Sequence, residues 1–496
     1  MKRKSTLYFS LLIFACCATS CEQWLDVKPS NQFDEGEQFE TEQGYHDALI
    51  GIYQSMAVDS TYGADLGFKF IDVLAQLYQN KRFVSDYYGH TARYDYAAGS
   101  DEQDNPKPAI ADIWRFQYQS IAHVNYLLKH LDRKPDALGE QRFGLVKGEA
   151  LALRALLHFD LLRLYAPMYT ESTASAPGIP YMEAFTVHPQ ERLTLDEVLA
   201  RILDDLEEAV ELQSVFTEID PIAGNQGATS SELFLMFRQN RMNYWAAKAL
   251  LARVYLYKGD KANALAMADE VINSQQFHFV NTASLNTDER MEGSNTIFSS
   301  EHIFSIYRSD LSGVADRYFK TQQTAAEASD LFSTGAALDE WYEVSREGYG
   351  VDIRSPLATA NRWNAFNTGT VYTKKYYADH PSNVNQRLIP LIRLPEMYYI
   401  AAEAATSIDQ ALTYLNAVRT ARLLPELTTA TVTDGEQLES ELFKEYRKEF
   451  YGEGQLWYYY KRHNYASIPN SPVSTMTPSL YTFPIPDDEL TYNVNF

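Results

Sequence analysis

The sequence predicts a mainly α-helical protein, and three observations carry that expectation. Apolar residues recur at helical spacing in several long stretches, and small residues line paired helical segments that could pack closely. One long stretch, 276–390, lacks sustained periodicity and reads as a loop-rich elaboration of a helical frame.

After a polar leader through Pro29, Ser30 and Asn31, the first helical pattern is TEQGYHDALIGIYQSM at 41–56, and a second covers about 61–79. In AIADIWRFQYQSIAHVNYLLKHLD (109–132), Ile113, Phe116, Ile121, Val124, Leu127, Leu128 and Leu131 fall near one stripe. LVKGEALALRALLHFDLLRLY (145–165) follows, and Pro167 helps to end it. Next, LTLDEVLARILDDLEEAVEL (193–212) opens with Thr194 three residues before Glu197, the spacing of a capping box.

The segment AAKALLARVYLYKGDKANALAMADEVINS (246–274) places two helices around Gly259 and Asp260. Ala247, Ala252, Ala264 and Ala268 permit close approach, with Leu251, Tyr255 and Leu265 filling the gaps. This pattern resembles a tetratricopeptide helical hairpin. Related pairing recurs near 145–210 and in 394–422 at irregular spacing, so the repeats are degenerate and interrupted by insertions. Within 276–390, EHIFSIYR (301–308) reads as a short strand. A charged helix is expected over 438–463, and the chain closes with YTFPIPDDELTYNVNF.

The start of the chain has the parts of an export signal. Lys2, Arg3 and Lys4 precede a short apolar run from Leu7 to Ala15, too short for a stable membrane span. Ala18, Thr19 and Ser20 then lead into Cys21, as in a bacterial lipoprotein signal whose cysteine thiol is lipidated. The three cysteines are Cys16, Cys17 and Cys21, so cleavage after residue 20 leaves one, at the new N-terminus, and no intrachain disulfide. Several acyl chains on Cys21 would hold the protein durably at a membrane.

Removing 1–20 takes away three basic residues and no acidic ones, moving the formal charge from −23 to −26. That surface repels nucleic acid and anionic headgroups, so no nucleic-acid partner is expected. The 35 Tyr residues suit surfaces where a ring packs and a hydroxyl stays wet, a property that carbohydrate recognition uses.

Signatures of common enzymes are absent: there is no HExxH, CxxC, P-loop or GxSxG. Glu445, Glu449 and Glu453 recur every four residues and share a helix face, but glycoside hydrolysis needs two carboxylates flanking one bond, usually from different elements. Arg447, Lys448, Lys461 and Arg462 are nearby ion-pair partners for them. Glu149 with Arg154, and Arg393 with Glu396 and Glu403, are read in the same way, as ties between helices. The ten histidines lack ligand-like spacing, so neither a metal nor another cofactor is expected, apart from the open case of calcium on scattered loop oxygens.

Five stretches, in order, carry a family resemblance: Cys21 to Asp26 with Pro29; GEALALRALLHFDLLRLYA (148–166); IRLPEMYYIAAEA (392–404); EYRKEFYGEG (445–454) with Trp457 and Arg462; and FPIPDDEL (483–490). Together they resemble the SusD/RagB family of outer-membrane glycan-binding lipoproteins. Leu456 and Tyr459 stand where that family commonly has Arg and Asp, and Pro395 where it has Ala, so ligand preference is not carried over.

The resemblance implies a SusD-like fold in a single domain over 21–496, with a helical scaffold at about 41–275 and 391–463 and the insertion at about 276–390. It further implies surface-exposed, lipid-anchored glycan binding at the outer membrane, without catalysis, beside a SusC-like TonB-dependent transporter. Family members often place part of the ligand site in the loops after the first helices. Here that loop is NKRFVSDYYGHTARYDYAAGSDEQDNPKP (80–108), whose candidates are Tyr87, Tyr88, Arg93, Tyr94 and Tyr96, with Asp86 and Asp95 as hydroxyl acceptors. Trp363 is a further candidate, whereas Trp114 and Trp341 follow helical patterns and are expected in the core. The competing reading is a helical-repeat lipoprotein scaffold that binds a protein or peptide.

Overall fold

A computed structural model describes residues 38–79, 87–97, 105–133, 136–218, 234–285, 295–319, 329–357, 362–365, 369–376 and 387–495. The expected signal segment and Cys21 lie outside these residues. Helix α1 (Glu42–Met56) begins where the Thr41 side chain accepts from the Gly44 amide. The second expected helix is mostly absent: 57–69 winds through turns, and only α2 (Phe70–Leu74) is helical. Turn bonds replace helical ones here: the Gly63 amide donates to the Val58 carbonyl and the Thr61 hydroxyl to the Met56 carbonyl, and a Cβ on Gly63 would lie 2.2 Å from the Ala57 carbonyl oxygen. The segment from Thr61 to Leu66 is buried on every side. A single turn, α3 (Gly89–Ala92), follows.

Helix α4 (Pro106–Leu131) starts with Asn105 capping the Lys107 amide and proline in the first turn, where a missing N–H costs nothing. Helix α5 (Glu140–Tyr165) is buried on all faces from Gly148 onward and forms the axis around which α4 and α6 (Leu195–Gln213) pack. The capping box at Thr194 is present: its side chain accepts from the Glu197 amide, and the Glu197 carboxylate accepts from the Thr194 amide at 2.9 Å. Thr194→Ala is expected to cost about 1 kcal/mol in chemical denaturation. An unchanged midpoint would show that the α5–α6 packing alone holds this helix start.

Helices α7 (Tyr244–Lys258) and α8 (Lys261–Asn273) form the expected hairpin, with Asp260 in the turn capping the Asn263 amide. The insertion then contributes β1 (His302–Tyr307), α9 (Leu311–Phe319), β2 (Ser333–Thr334), α10 (Gly335–Trp341), β3 (Trp363–Ala365), β4 (Thr370–Thr373) and β5 (Leu388–Arg393). Strand β1 pairs antiparallel with β5, and a second sheet has the order β2, β4, β3. Strand β5 runs directly into α11 (Leu394–Ala404), which packs on α8 and pairs with α12 (Ile408–Ala421).

The helix expected over 438–463 is two helices, α13 (Gly435–Glu449) and α14 (Leu456–Arg462). Between them Gly452 and Gly454 take φ values of 75° and 70°, which only glycine adopts without strain. The Gly454 amide donates to the Asp72 carboxylate at 3.1 Å, tying this turn to α2. The last element, α15 (Asp487–Tyr492), lies over the start of α4, where Trp114 Nε1 donates to Glu489 at 3.2 Å. Just before it, the Phe483 amide donates to the Leu164 carbonyl at 2.9 Å. One continuous apolar core therefore runs from Tyr45 and Leu49 near the start to Tyr481 and Phe483 near the end.

Candidate ligand-binding site

The tyrosine-rich segment 87–97 is held by side chains the local sequence does not reveal. Tyr94 takes a left-handed backbone (φ 59°), which turns its ring inward onto Trp457 at a centroid distance of 5.6 Å. Its hydroxyl donates to the Leu74 carbonyl at 3.2 Å and accepts from Gln76 at 3.0 Å. Tyr96 donates to the Leu480 carbonyl at 2.8 Å and rests edge-on against Phe483. Tyr88 is buried beside Tyr87, their rings 4.7 Å apart in a T-shaped pair.

These three buried tyrosines shape a platform, while Tyr87 and Arg93 are half-buried and Asp95 is exposed, meeting His90 Nδ1 at 3.0 Å. Asp86 lies outside the described residues. Trp363 is 9% exposed, donates to the Arg354 carbonyl at 2.8 Å and packs on Tyr451 at 4.9 Å. Through Tyr451 it connects to Tyr78, whose ring lies 5.7 Å from that of Tyr451. Trp114 and Trp341 are buried, as their helical patterns indicate.

Sequence reasoning missed the concavities beside this platform. A cleft of about 620 Å³ opens next to Tyr96, with Asn105, Lys107, Asp487 and Asp488 around a floor of Ile110, Pro484 and Ile485. A second, of about 510 Å³, continues past Pro486 and Asp488 to Trp114, Tyr118 and Tyr492. The only sequence signal for them was FPIPDDEL, whose prolines and acids gave no hint of what they face. A third groove, of about 740 Å³, lies between the helical hairpins and carries Lys258, Lys261, Glu403, Glu439 and His463.

The stacked glutamates have another occupation. Glu449 accepts from Arg354 at 2.8 Å, Arg393 at 2.7 Å and Arg422 at 2.7 Å. Glu445 accepts from Arg354 at 2.8 Å and Arg419 at 3.0 Å, and Glu453 from Arg393 at 2.8 Å and Lys375 at 2.5 Å. Glu301 holds both terminal nitrogens of Arg422, Asp352 pairs with Arg354, and Lys448 joins Glu343 at 2.8 Å. In this layer Arg354, Arg393, Arg419, Arg422, Lys375 and Lys448 are all paired with carboxylates drawn from Asp352, Glu301, Glu343, Glu445, Glu449 and Glu453.

Burial opposes ionisation of Glu445, but Arg354, Lys448 and Arg419 overcome it and hold its carboxyl at about 2. Burial also opposes ionisation of Glu449, and Arg422, Arg393 and Arg354 hold it well below the usual range. Carboxylates so committed are structural, neither free to shuttle protons nor open to a substrate.

The partners differ from those adjacency in sequence suggested. Of Arg447, Lys448, Lys461 and Arg462, only Lys448 approaches this set, 3.6 Å from Glu445. Arg447 lies over the Trp341 and Phe443 rings, Lys461 donates to the Ala166 carbonyl, and Arg462 pairs with Glu403. Glu396 takes Arg253 in a two-pronged pair, and Arg154 takes Asp205 likewise, at 2.6 and 2.7 Å in each case. Glu149 is shared by Arg238 and the Tyr53 hydroxyl. Such ties between helices are what the sequence led us to expect of these charges.

Comparison with known proteins identifies the family. A profile described as SusD-like, starch-binding and associating with the outer membrane matches residues 23–256, and that of the SusD family matches 224–470. The SusD-like protein P25 of Formosa agariphila is 25% identical over 407 residues, covering 79% of this chain and 69% of that protein. A SusD superfamily protein from Bacteroides thetaiotaomicron superposes with a TM-score of 0.70 at 23% identity, over 92% of this chain and 98% of the other. Surface glycan-binding protein A of the same organism, solved with laminarihexaose, superposes with a TM-score of 0.63 at 18% identity, covering 92% and 98%. With the two profiles spanning residues 23–470 and the fold shared nearly end to end, the chain belongs to the SusD family of non-catalytic, glycan-binding proteins.

Proposed function

We propose that this protein captures an oligosaccharide or polysaccharide at the cell surface and passes it to a SusC-like TonB-dependent transporter, while lipid on Cys21 holds it to the outer membrane. The observation that carries the reading is the family match over 23–470, and the fold it shares with a protein solved with laminarihexaose supports it. In this reading Tyr87 offers a ring face to a sugar, and Arg93 and Asp95 supply hydrogen bonds, with Asp86 as a further acceptor. Tyr88, Tyr94 and Tyr96 shape the platform, the cleft beside Tyr96 extends it, and Trp363 supports the insertion behind it.

Calorimetry against a glycan panel that includes laminarihexaose tests the proposal. One glycan is expected to bind without release of reducing ends, and Tyr87→Ala or Arg93→Ala should weaken it at least about tenfold, or about 1.4 kcal/mol. Cys21→Ser should move the protein from the membrane fraction to the soluble one. The charged groove between the hairpins favours the competing reading of a peptide-binding scaffold. Failure across the glycan panel together with saturable peptide binding there would establish that reading instead.

A further inference from the structure

One buried cation stands outside the matched charges of the layer around Glu449. Arg362 is 8% exposed, and its terminal nitrogens donate to the backbone carbonyls of Thr296 and Asn295. Its guanidinium lies 3.8 Å from the Phe298 ring centroid. No carboxylate among the described residues pairs with it, and its Nε has no hydrogen-bond partner. Carbonyls and a ring face satisfy donors and offer weak attraction, but they do not neutralise a full charge removed from water.

Beside this side chain is a cavity of about 30 Å³, whose walls include Arg354, Arg362, Lys375, Lys448, Thr373 and Tyr451. Glu449 is the one acid in its lining among the described residues, and three guanidiniums already engage it. A space of this size holds a water or two, or one monatomic ion. A water would complete the Nε hydrogen bond yet leave the charge uncompensated. Burial, and then Arg422, push the Arg362 guanidinium down to about 9, and the neighbouring Glu301 and Glu449 offset only part of that push.

We propose that this cavity is a binding site for a single halide ion, with chloride serving as the counter-ion of Arg362. The ion would fasten the turn at Asn295–Phe298 to β3, because Arg362 immediately precedes Trp363 at the start of that strand. The inference does not depend on which glycan the protein binds, or on whether it binds one.

The test is a crystal of the full chain grown in sodium bromide, with diffraction data collected at the bromine absorption edge. An anomalous peak within hydrogen-bonding distance of Arg362 Nε is expected. Density there without anomalous signal would identify water and overturn the proposal. In solution, the unfolding temperature should be higher in sodium chloride than in sodium gluconate at matched ionic strength, by the linkage of binding to folding. Arg362→Gln should remove most of that difference. Equal stability in the two salts, or a halide effect undiminished in R362Q, would count against the site. If R362Q fails to fold, the bromide experiment on the unaltered chain decides alone.

Discussion

Glu449→Gln is expected to destabilise the folded protein by about 3–5 kcal/mol, the usual consequence of breaking a buried ion pair from one side. Glu449 is 2% exposed and gathers three guanidiniums, which belong to the loop at 354, the end of β5 and the end of α12. Glutamine keeps the size but presents one acceptor oxygen and no charge, so Arg354, Arg393 and Arg422 would share a weakened partner in a dry interior. Glu439→Gln serves as the control. That residue is half exposed in the groove between the hairpins, and surface pairs contribute little, so about 0.5 kcal/mol or less should be lost. Urea denaturation measures both, and a loss below about 1 kcal/mol for Glu449→Gln would mean that the arginines are neutralised by other means.

The same layer dictates an acid response. Carboxyls held below their ordinary range in the folded state bind protons more readily when unfolded. Their stabilisation is therefore complete above the unfolded value of 4.5 and is lost as pH falls toward the folded value, about 2 for Glu445. The unfolding temperature of the parent should drop through this window, and that of Glu449→Gln should drop less steeply. Parallel curves would show that Glu449 is not a source of the acid sensitivity.

Trp457→Ala carries the second large effect, about 3–5 kcal/mol for emptying a buried indole site. Trp457 is fully buried, with the Tyr94 ring stacked on one side and Tyr481 5.1 Å away. Its loss removes the floor under the segment that presents Tyr87 and Arg93. Glycan affinity should therefore fall along with stability, although the indole itself lies beneath the platform. Trp457→Phe, which keeps a ring against Tyr94, should recover most of the affinity. If both variants lose stability while affinity is unchanged, the 87–97 segment is not the binding surface.

Local chemistry was legible in the sequence, and long-range pairing was not. Thr194 and Glu197 form their box because both partners lie within one turn, and the 246–274 hairpin follows from small residues and a Gly-Asp turn that act locally. The helix expected over 61–79 gives way to turns because Thr61 and Gly63 bond back to the Met56 and Val58 carbonyls, contacts that apolar spacing does not register. Strand β5, LIPLIR, is buried along its whole length and so lacks the alternation that marks a half-exposed strand. The break between α13 and α14 depends on Gly454 meeting α2, a residue pair 382 positions apart.

The same distinction governs the candidate site. Tyr87 and Tyr88 are adjacent and chemically alike, yet one keeps an accessible face and the other does not. Tyr94 and Tyr96 are drawn inward by the carbonyls of Leu74 and Leu480, acceptors that every residue carries and no sequence pattern marks. The structural role of Glu445, Glu449 and Glu453 could be inferred from the cations near them in sequence, although Glu453 lies in the turn beyond α13 and not on its face. Their partners could not, because Arg354, Arg393, Arg419 and Arg422 come from separate elements.

The lashing of the last residues onto the first helices bears on how the chain acquires its shape. Tyr96 meets Leu480 across 384 positions and Trp114 meets Glu489 across 375, so the apolar surface beside these two rings stays uncovered until the final stretch is available. Closing such long loops is an entropic hurdle met before the contacts form, and it slows folding relative to a bundle built from neighbours. A chain emerging from N-terminus to C-terminus would hold that patch open, and prone to misassociation, until its last twenty or so residues arrive.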